Sequence, residues 1–256
     1  MSDTGEGQVQ GTAREEGAAD VLPGHLRLAL GEHREFLLIL GLFLAFRLMF
    51  VLVVRPGGYL GVMTTFHYYH LLQSLSNQGY LPLVDFWVEY PPLAPWLLLA
   101  VYRLSLLIPA WTEPGAWYLI LLGATFALFE AGNLVLFYGI GRRLHGRAEA
   151  VRRAWIYGAL FIPIIVLLNT FDNVVLFFLL SIVLLTLHRR PAGAGVAAAL
   201  GFMTKLVPAV GLPAAWLHLP AWSQRARLVA AVVLVVMLIA LPFLLAGPEH
   251  FLPAFT

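Results

Sequence analysis

Asp85 and Glu89 stand four residues apart in GYLPLVDFWVEYPPLAPW (79–96), surrounded by Tyr80, Phe86, Trp87, Tyr90 and Trp96. A carboxylate set among aromatic rings is partly desolvated, which disfavours its charged form and lifts its pKa. Such a group suits a proton acceptor near neutral pH, or a ligand for a cation or for sugar hydroxyls. The plainer alternative is a pair of solvated carboxylates in an aromatic-rich interfacial loop. Lys205 is the only lysine and stands in GFMTKLVP (201–208), beside proline. A lone cation there either holds a phosphate group or snorkels to an interface. Asp172, in TFDN (170–173), lies at a turn where it or Asn173 is also placed to cap a helix. Arg47 and Glu130 fall inside long apolar runs. A charge at that depth costs about 2.5–3.5 kcal/mol on insertion scales, so each needs a partner or a cavity, and the two are expected to pair. The eight histidines show no metal-ligand spacing; His67 and His70 lie three apart, without an evident third ligand, so no metal site is expected.

The elements that carry these residues are apolar helices. Hydrophobic residues make up 60% of the 256, charged residues only 12%, and mean hydropathy is +0.82. A soluble domain needs about a quarter of its residues charged, so lipid meets much of this surface. There is no cysteine, hence no disulfide framework or thiol nucleophile. The basic residues cluster in short connections, which points to topology rather than nucleic-acid binding.

Apolar runs cover 36–54, 93–110, 116–140, 155–168, 174–187, 192–219 and 228–246. Threading follows from arginine. Arg142, Arg143, Arg147, Arg152 and Arg153, then Arg189 and Arg190, then Arg225 and Arg227, belong on the cytoplasmic side. If every run crossed once, the five-arginine cluster would lie outside. Run 93–110 begins after two prolines and contains Pro95, Arg103 and Pro109; it is read as an interfacial or re-entrant helix on the outer side. Run 192–219 is too long for one span and is expected to be two short helices turning near Lys205. Seven crossings result, with the N-terminus and every arginine-rich connection cytoplasmic.

Residues 1–35 read as a disordered or loosely helical cytoplasmic tail, and 36–256 as the transmembrane domain. The large outer loop, 55–115, opens with an amphipathic helix over about 65–78. Tyr68, Leu71, Leu72 and Leu75 share one stripe, and Gly79 stops the helix.

The order of motifs, namely a first span, a loop with paired tyrosines, DFWVEYPPL (85–93), TFDN and GFMTKLVP, resembles the GT-C superfamily of polytopic glycosyltransferases. Within it the chain is similar to the polyprenol-phosphate mannosyltransferase-like group, glycosyltransferase family 87. The resemblance covers about 36–256. It implies an all-α membrane module of seven spans with juxtamembrane helices in the first outer loop. It also implies a polyprenyl-phosphate sugar as donor and transfer of a sugar such as mannose to a lipid or glycan outside the cytoplasm, in one inverting displacement. The lipid bilayer and the polyprenyl lipid are the expected partners, with nucleic acid excluded. The cytoplasmic membrane is the expected location. Asp85 and Glu89 are the catalytic candidates. His67, Tyr69, Tyr90, Arg103, Asp172 and Lys205 are the candidates for substrate binding, with Arg55 or Arg103 helping Lys205 to steady the leaving phosphate.

The sequence departs from that family in two places. The family has an acidic residue shortly before the paired tyrosines, taken as the base that deprotonates the acceptor; here those positions are Thr64, Thr65 and Phe66. Either Asp85 or Glu89 takes that role, or His67 does, or the chain is an inactive relative serving as a structural subunit of a larger membrane complex. Family members also continue for several more spans, whereas this sequence stops just after the seventh. A transporter is the weakest reading, because no broken spans repeat between two halves.

Overall fold

The computed structural model describes residues 24–53, 64–109, 115–160 and 170–255, and the described residues form helices, turns and no strands. The chain divides into two units, Met1–Leu38 and Ile39–Thr256. In the first unit the described residues belong to α1 (Gly24–Val53), so the tail is helical from Gly24 on; residues 1–23 lie outside the described part. The second unit holds the rest of α1 and everything that follows.

In the second unit α2 (Thr64–Asn77) and α3 (Leu93–Ser105) flank the aromatic loop. Then come α4 (Ala116–His145), α5 (Arg147–Ala159), α6 (Asp172–Leu187) and α7 (Pro191–Thr204). A short 3-10 turn at Val207–Val210 leads into α8 (Gly211–His218) and α9 (Trp222–Ala246). The chain ends in α10 (Pro248–Phe251) and a second 3-10 turn, Leu252–Phe255. Among the described residues three helices are long and apolar enough to cross a membrane: Gly31–Val53, Ala116–His145 and Trp222–Ala246. Helices α3, α6 and α7 are apolar but shorter. At ~1.5 Å per residue, α8 is only about 12 Å long.

The expected break near Lys205 is present. Helix α7 ends at Thr204, and Lys205 takes an extended conformation. Pro208 has no N–H to offer a continuing helix. Gly79, with φ +92°, ends α2 in the left-handed region that favours glycine. Helix α5 starts eight residues before the apolar run that marks it in the sequence. Its polar first turns are held by Glu149, which accepts from Arg152 Nη2 at 2.9 Å and Arg153 Nε at 2.7 Å. Those i,i+3 and i,i+4 pairs are favourable helix-surface neighbours.

Packing runs α9 on α7, α7 on α6, α6 on α4, and α4 on α5. Close approach of α7 and α9 depends on Gly195. A Cβ there would meet the Leu228 carbonyl oxygen and lie 2.8 Å from the Ala231 Cβ. Small residues at such crossings let helix backbones touch where lipid gives no hydrophobic drive. Arg47 of α1 donates from Nε to Glu130 Oε2 of α4 at 2.8 Å, with the two side chains 0% and 5% exposed, so the expected pairing forms. The main core gathers Tyr69, Leu72, Leu83, Leu98, Tyr102, Phe126, Phe171, Val174 and Met203. It therefore lies under the aromatic loop and joins α2, α3, α4, α6 and α7.

Candidate functional site

The loop 78–92 is shaped by its own backbone and side chains. Leu81 N–H donates to Asp85 Oδ2 at 2.7 Å, Asp85 N–H to the Leu81 carbonyl at 2.9 Å, and Leu83 N–H to the Phe86 carbonyl at 2.9 Å. Leu83 is fully buried at φ +65°, a left-handed conformation unusual for leucine. Trp96 Nε1 donates to the Pro82 carbonyl at 3.3 Å and ties the loop to α3. Asp85, expected as a catalytic candidate, is thus engaged in closing its own turn. It is exposed, as is Glu89. The aromatic residues around them divide: Tyr80 and Trp87 are exposed as the carboxylates are, whereas Phe86, Tyr90 and Trp96 are partly buried against the core.

Arg103 also has a local task. Its Nη2 donates to the Ser76 carbonyl at 2.8 Å and to Ser76 Oγ at 2.7 Å, and the neighbouring Tyr102 hydroxyl donates to Asn77 Oδ1 at 2.7 Å. These bonds satisfy carbonyl and side-chain groups at the C-terminal end of α2, where a helix has no internal partners. Arg103 therefore fixes α2 against α3 rather than reaching the site below. The His67 side chain and Arg55 lie outside the described residues.

Four of the expected residues converge. Lys205 Nζ donates to Asp172 Oδ1 at 2.8 Å, joining the end of α7 to the start of α6, with the side chains 33% and 56% exposed. The same ammonium lies 5.8 Å from the Tyr90 ring centroid and 5.7 Å from that of Phe171. Tyr90 and Phe171 meet edge to face at 4.7 Å, and Tyr68 meets Tyr90 edge to face at 5.5 Å. Tyr69 follows, 6.4 Å from Tyr68 and 6.5 Å from Phe126. The site is a half-open ion pair on an aromatic wall, with contributions from α2, the loop, α6 and α7. A cation over aromatic faces gains about 0.5–1 kcal/mol when exposed, and more when desolvated.

Two features mark this wall as unfinished. The hydroxyls of Tyr68 and Tyr69 are buried and have no hydrogen-bond partner among the described residues, although Tyr69 is only 1% exposed. An unsatisfied buried hydroxyl costs about 1–3 kcal/mol. Burial, followed by neighbouring tyrosines, pushes both phenols well above their ordinary pKa, so each stays a neutral O–H donor. Glu89 is also within electrostatic reach. Tyr90 is raised first by burial and then by Glu89, while Lys205 opposes the shift. The Glu89 carboxylate itself makes no hydrogen bond or ion pair with the described residues.

Position in α6 is set by amides. Asn133 Nδ2 donates to the Asn173 carbonyl at 2.9 Å, and Asn173 Nδ2 to the Phe126 carbonyl at 2.8 Å, which locks the start of α6 to α4. Asp172 does not cap with its side chain; its own N–H donates to Thr170 Oγ1 at 3.3 Å, and its carboxylate is left for Lys205. Sequence reasoning missed Phe171 and the unpartnered Tyr68 hydroxyl as site features. The HYYH pattern signals a polar-aromatic turn of helix but says nothing of which hydroxyls lack acceptors. Among the described residues, no three His, Asp or Glu side chains gather where they would hold a metal ion. No protein-family model, curated protein or solved structure matches this chain.

Proposed function

We propose that this protein is a membrane glycosyltransferase of the GT-C kind, using a polyprenyl-phosphate sugar as donor and a lipid or glycan hydroxyl as acceptor. The observation that carries the reading is one half-open cation, Lys205, on an aromatic wall in which two buried tyrosyl O–H donors, Tyr68 and Tyr69, have no acceptor among the described residues. A phosphate ester supplies the oxygens such donors lack. In this reading the chain threads the cytoplasmic membrane seven times, with α6, α7 and α8 as short spans. Helices α2 and α3 lie along the outer face, and the N-terminus is cytoplasmic. The arginine distribution supports that threading.

The proposed step is a single displacement. The acceptor hydroxyl oxygen attacks the anomeric carbon as the bond from that carbon to the phosphate oxygen breaks, with inversion. The hydroxyl proton passes to the Glu89 carboxylate, and the electron pair leaves on the polyprenyl phosphate. Lys205, turned from Asp172, and the Tyr68 and Tyr69 hydroxyls face the charge that develops there. Asp172 is a positioning residue that holds the ammonium at the wall until substrate arrives. Asp85 keeps the loop in shape.

The test is transfer from a radiolabelled polyprenyl-phosphate mannose to membrane lipids by the full chain in nanodiscs. Glu89→Ala should lower the rate by ~10²-fold or more, the scale of a lost general base, whereas Asp85→Ala should act through loop stability. Full activity of Glu89→Ala overturns the assignment. A second reading, an inactive GT-C-like subunit of a larger complex, is favoured by one observation: Lys205 is already neutralised by Asp172 at 2.8 Å. Stoichiometric partners recovered in mild detergent, with no transfer by the isolated chain, would decide for it.

A further inference from the structure

A second unfinished site lies away from Lys205. Arg47 uses one N–H, on Nε, to reach Glu130; both of its η nitrogens are buried without a hydrogen-bond partner among the described residues. The residue is 0% exposed, and its guanidinium carbon stands 3.4 Å from the centroid of the Phe43 ring, so one face is covered. Four N–H bonds of a charged group are therefore left without acceptors in an apolar setting, a large cost for one side chain. Arg47 also lines a cavity of about 310 Å³ between α1 and α5, whose other walls include Ile39, Phe43, Phe46, Trp155 and Gly158. Phe46 and Trp155 are each 42% exposed, so the walls of this cavity reach the outer surface of the helices.

The chemistry of an occupant follows from charge and size. Glu130 already balances the charge of Arg47, so an incoming anion would leave a net negative charge buried, at a cost of several kcal/mol. What the η nitrogens need is a neutral oxygen acceptor. The volume is at the lower limit of small-molecule sites, enough for a segment of chain and not a whole headgroup. The remaining walls are aliphatic and aromatic. We propose that this cavity is a lateral lipid site that takes an acyl ester of a glycerolipid, with the acyl chain along Phe43, Phe46 and Trp155 and a turn of the Arg47 guanidinium, whose η nitrogens are covered as they stand, bringing them to the ester carbonyl. The proposal rests on α1 and α4 lying in a membrane and not on any transfer activity.

The test uses photoactivatable lipids in nanodiscs with the full chain: a diester phosphatidylcholine, a diether phosphatidylcholine of the same length that lacks ester carbonyls, and a free fatty acid. Adducts are mapped by mass spectrometry. The diester should label the peptides bearing 39–47 and 155–159 about fivefold more than the diether, the yield of one net hydrogen bond of ~1 kcal/mol. Gly158→Leu should remove that labelling. A Cβ at Gly158 meets Ile39 Cγ2 at 3.5 Å and Phe43 Cδ2 at 3.8 Å, ordinary contacts, so the larger side chain fills the cavity without moving the backbone. The double variant Arg47→Leu/Glu130→Leu, which keeps the interior neutral, should label equally with both probes. Equal labelling of the wild type by diester and diether overturns the proposal. So does preference for the fatty acid, which would mean an anion site, or labelling no higher than on other lipid-facing helices, which would mean that water satisfies Arg47.

Discussion

Replacing Arg47 by leucine while leaving Glu130 in place should be among the most damaging single changes outside the aromatic core. The two groups are 2.8 Å apart and nearly inaccessible. At an effective dielectric of about 20 their attraction is about 6 kcal/mol, offset by a desolvation penalty of several kcal/mol for each ion. The intact pair is then worth little on balance. Removing one member keeps the penalty of the other and discards the attraction, so Arg47→Leu should cost about 3–5 kcal/mol. Loss of the Phe43 contact adds to it. The double variant Arg47→Leu/Glu130→Leu removes both penalties and fills similar volume, and should lie within about 1–2 kcal/mol of the wild type. Reversible unfolding in mixed micelles, run as a double-mutant cycle, gives the coupling directly. A single-variant cost below about 1 kcal/mol, or strict additivity, would refute the buried-pair argument.

Other perturbations test the separate parts. Arg103→Met removes two bonds to Ser76 and should destabilise the chain by about 1–3 kcal/mol, read by the same unfolding assay, with hydrogen exchange rising first at the end of α2. Tyr69→Phe deletes a hydroxyl that has no partner among the described residues, so unfolding stability should be unchanged or slightly raised, while transfer falls; a stability loss above about 1 kcal/mol would mean that the hydroxyl is already satisfied. Hydrogen bonds from Arg152 and Arg153 hold the Glu149 carboxyl down at about 2. Its folded pKa is below the unfolded one, so its contribution is complete above the ordinary carboxylate pKa and is lost as pH falls towards about 2. A ¹³C-detected carboxyl titration should place that transition low and return it to the ordinary range in Arg152→Gln/Arg153→Gln.

What was legible in the sequence was what short-range rules govern. Pro208 and the lone Lys205 mark the break between α7 and the following 3-10 turn, and Gly79 marks the end of α2. Arg47 and Glu130, the only charges inside the two longest early runs, had no cheaper fate than each other. The start of helix α5 was read eight residues late because an apolar run was its only marker; Glu149 with Arg152 and Arg153 at i+3 and i+4 was the overlooked signal. The site itself was half visible. Tyr69, Tyr90, Asp172 and Lys205 were named, but the ion pair spans 33 positions and depends on how α6 meets α7. For Asp85 and Arg103 the aromatic setting suggested chemistry but could not show the bonds each makes to backbone groups, Asp85 with Leu81 in its own turn and Arg103 with Ser76 at the end of α2.

The central claim is that Lys205 and the Tyr68 and Tyr69 hydroxyls form a phosphate site. The direct measurement is the affinity of the full chain in nanodiscs for polyprenyl phosphate against the matching polyprenol, for the wild type and for Lys205→Met. The account predicts that the wild type binds the phosphate about tenfold or more tightly than the alcohol, a difference of ~1.4 kcal/mol or greater, and that Lys205→Met abolishes the difference. Equal affinities in the wild type, or a preference for phosphate that survives in Lys205→Met, would contradict it.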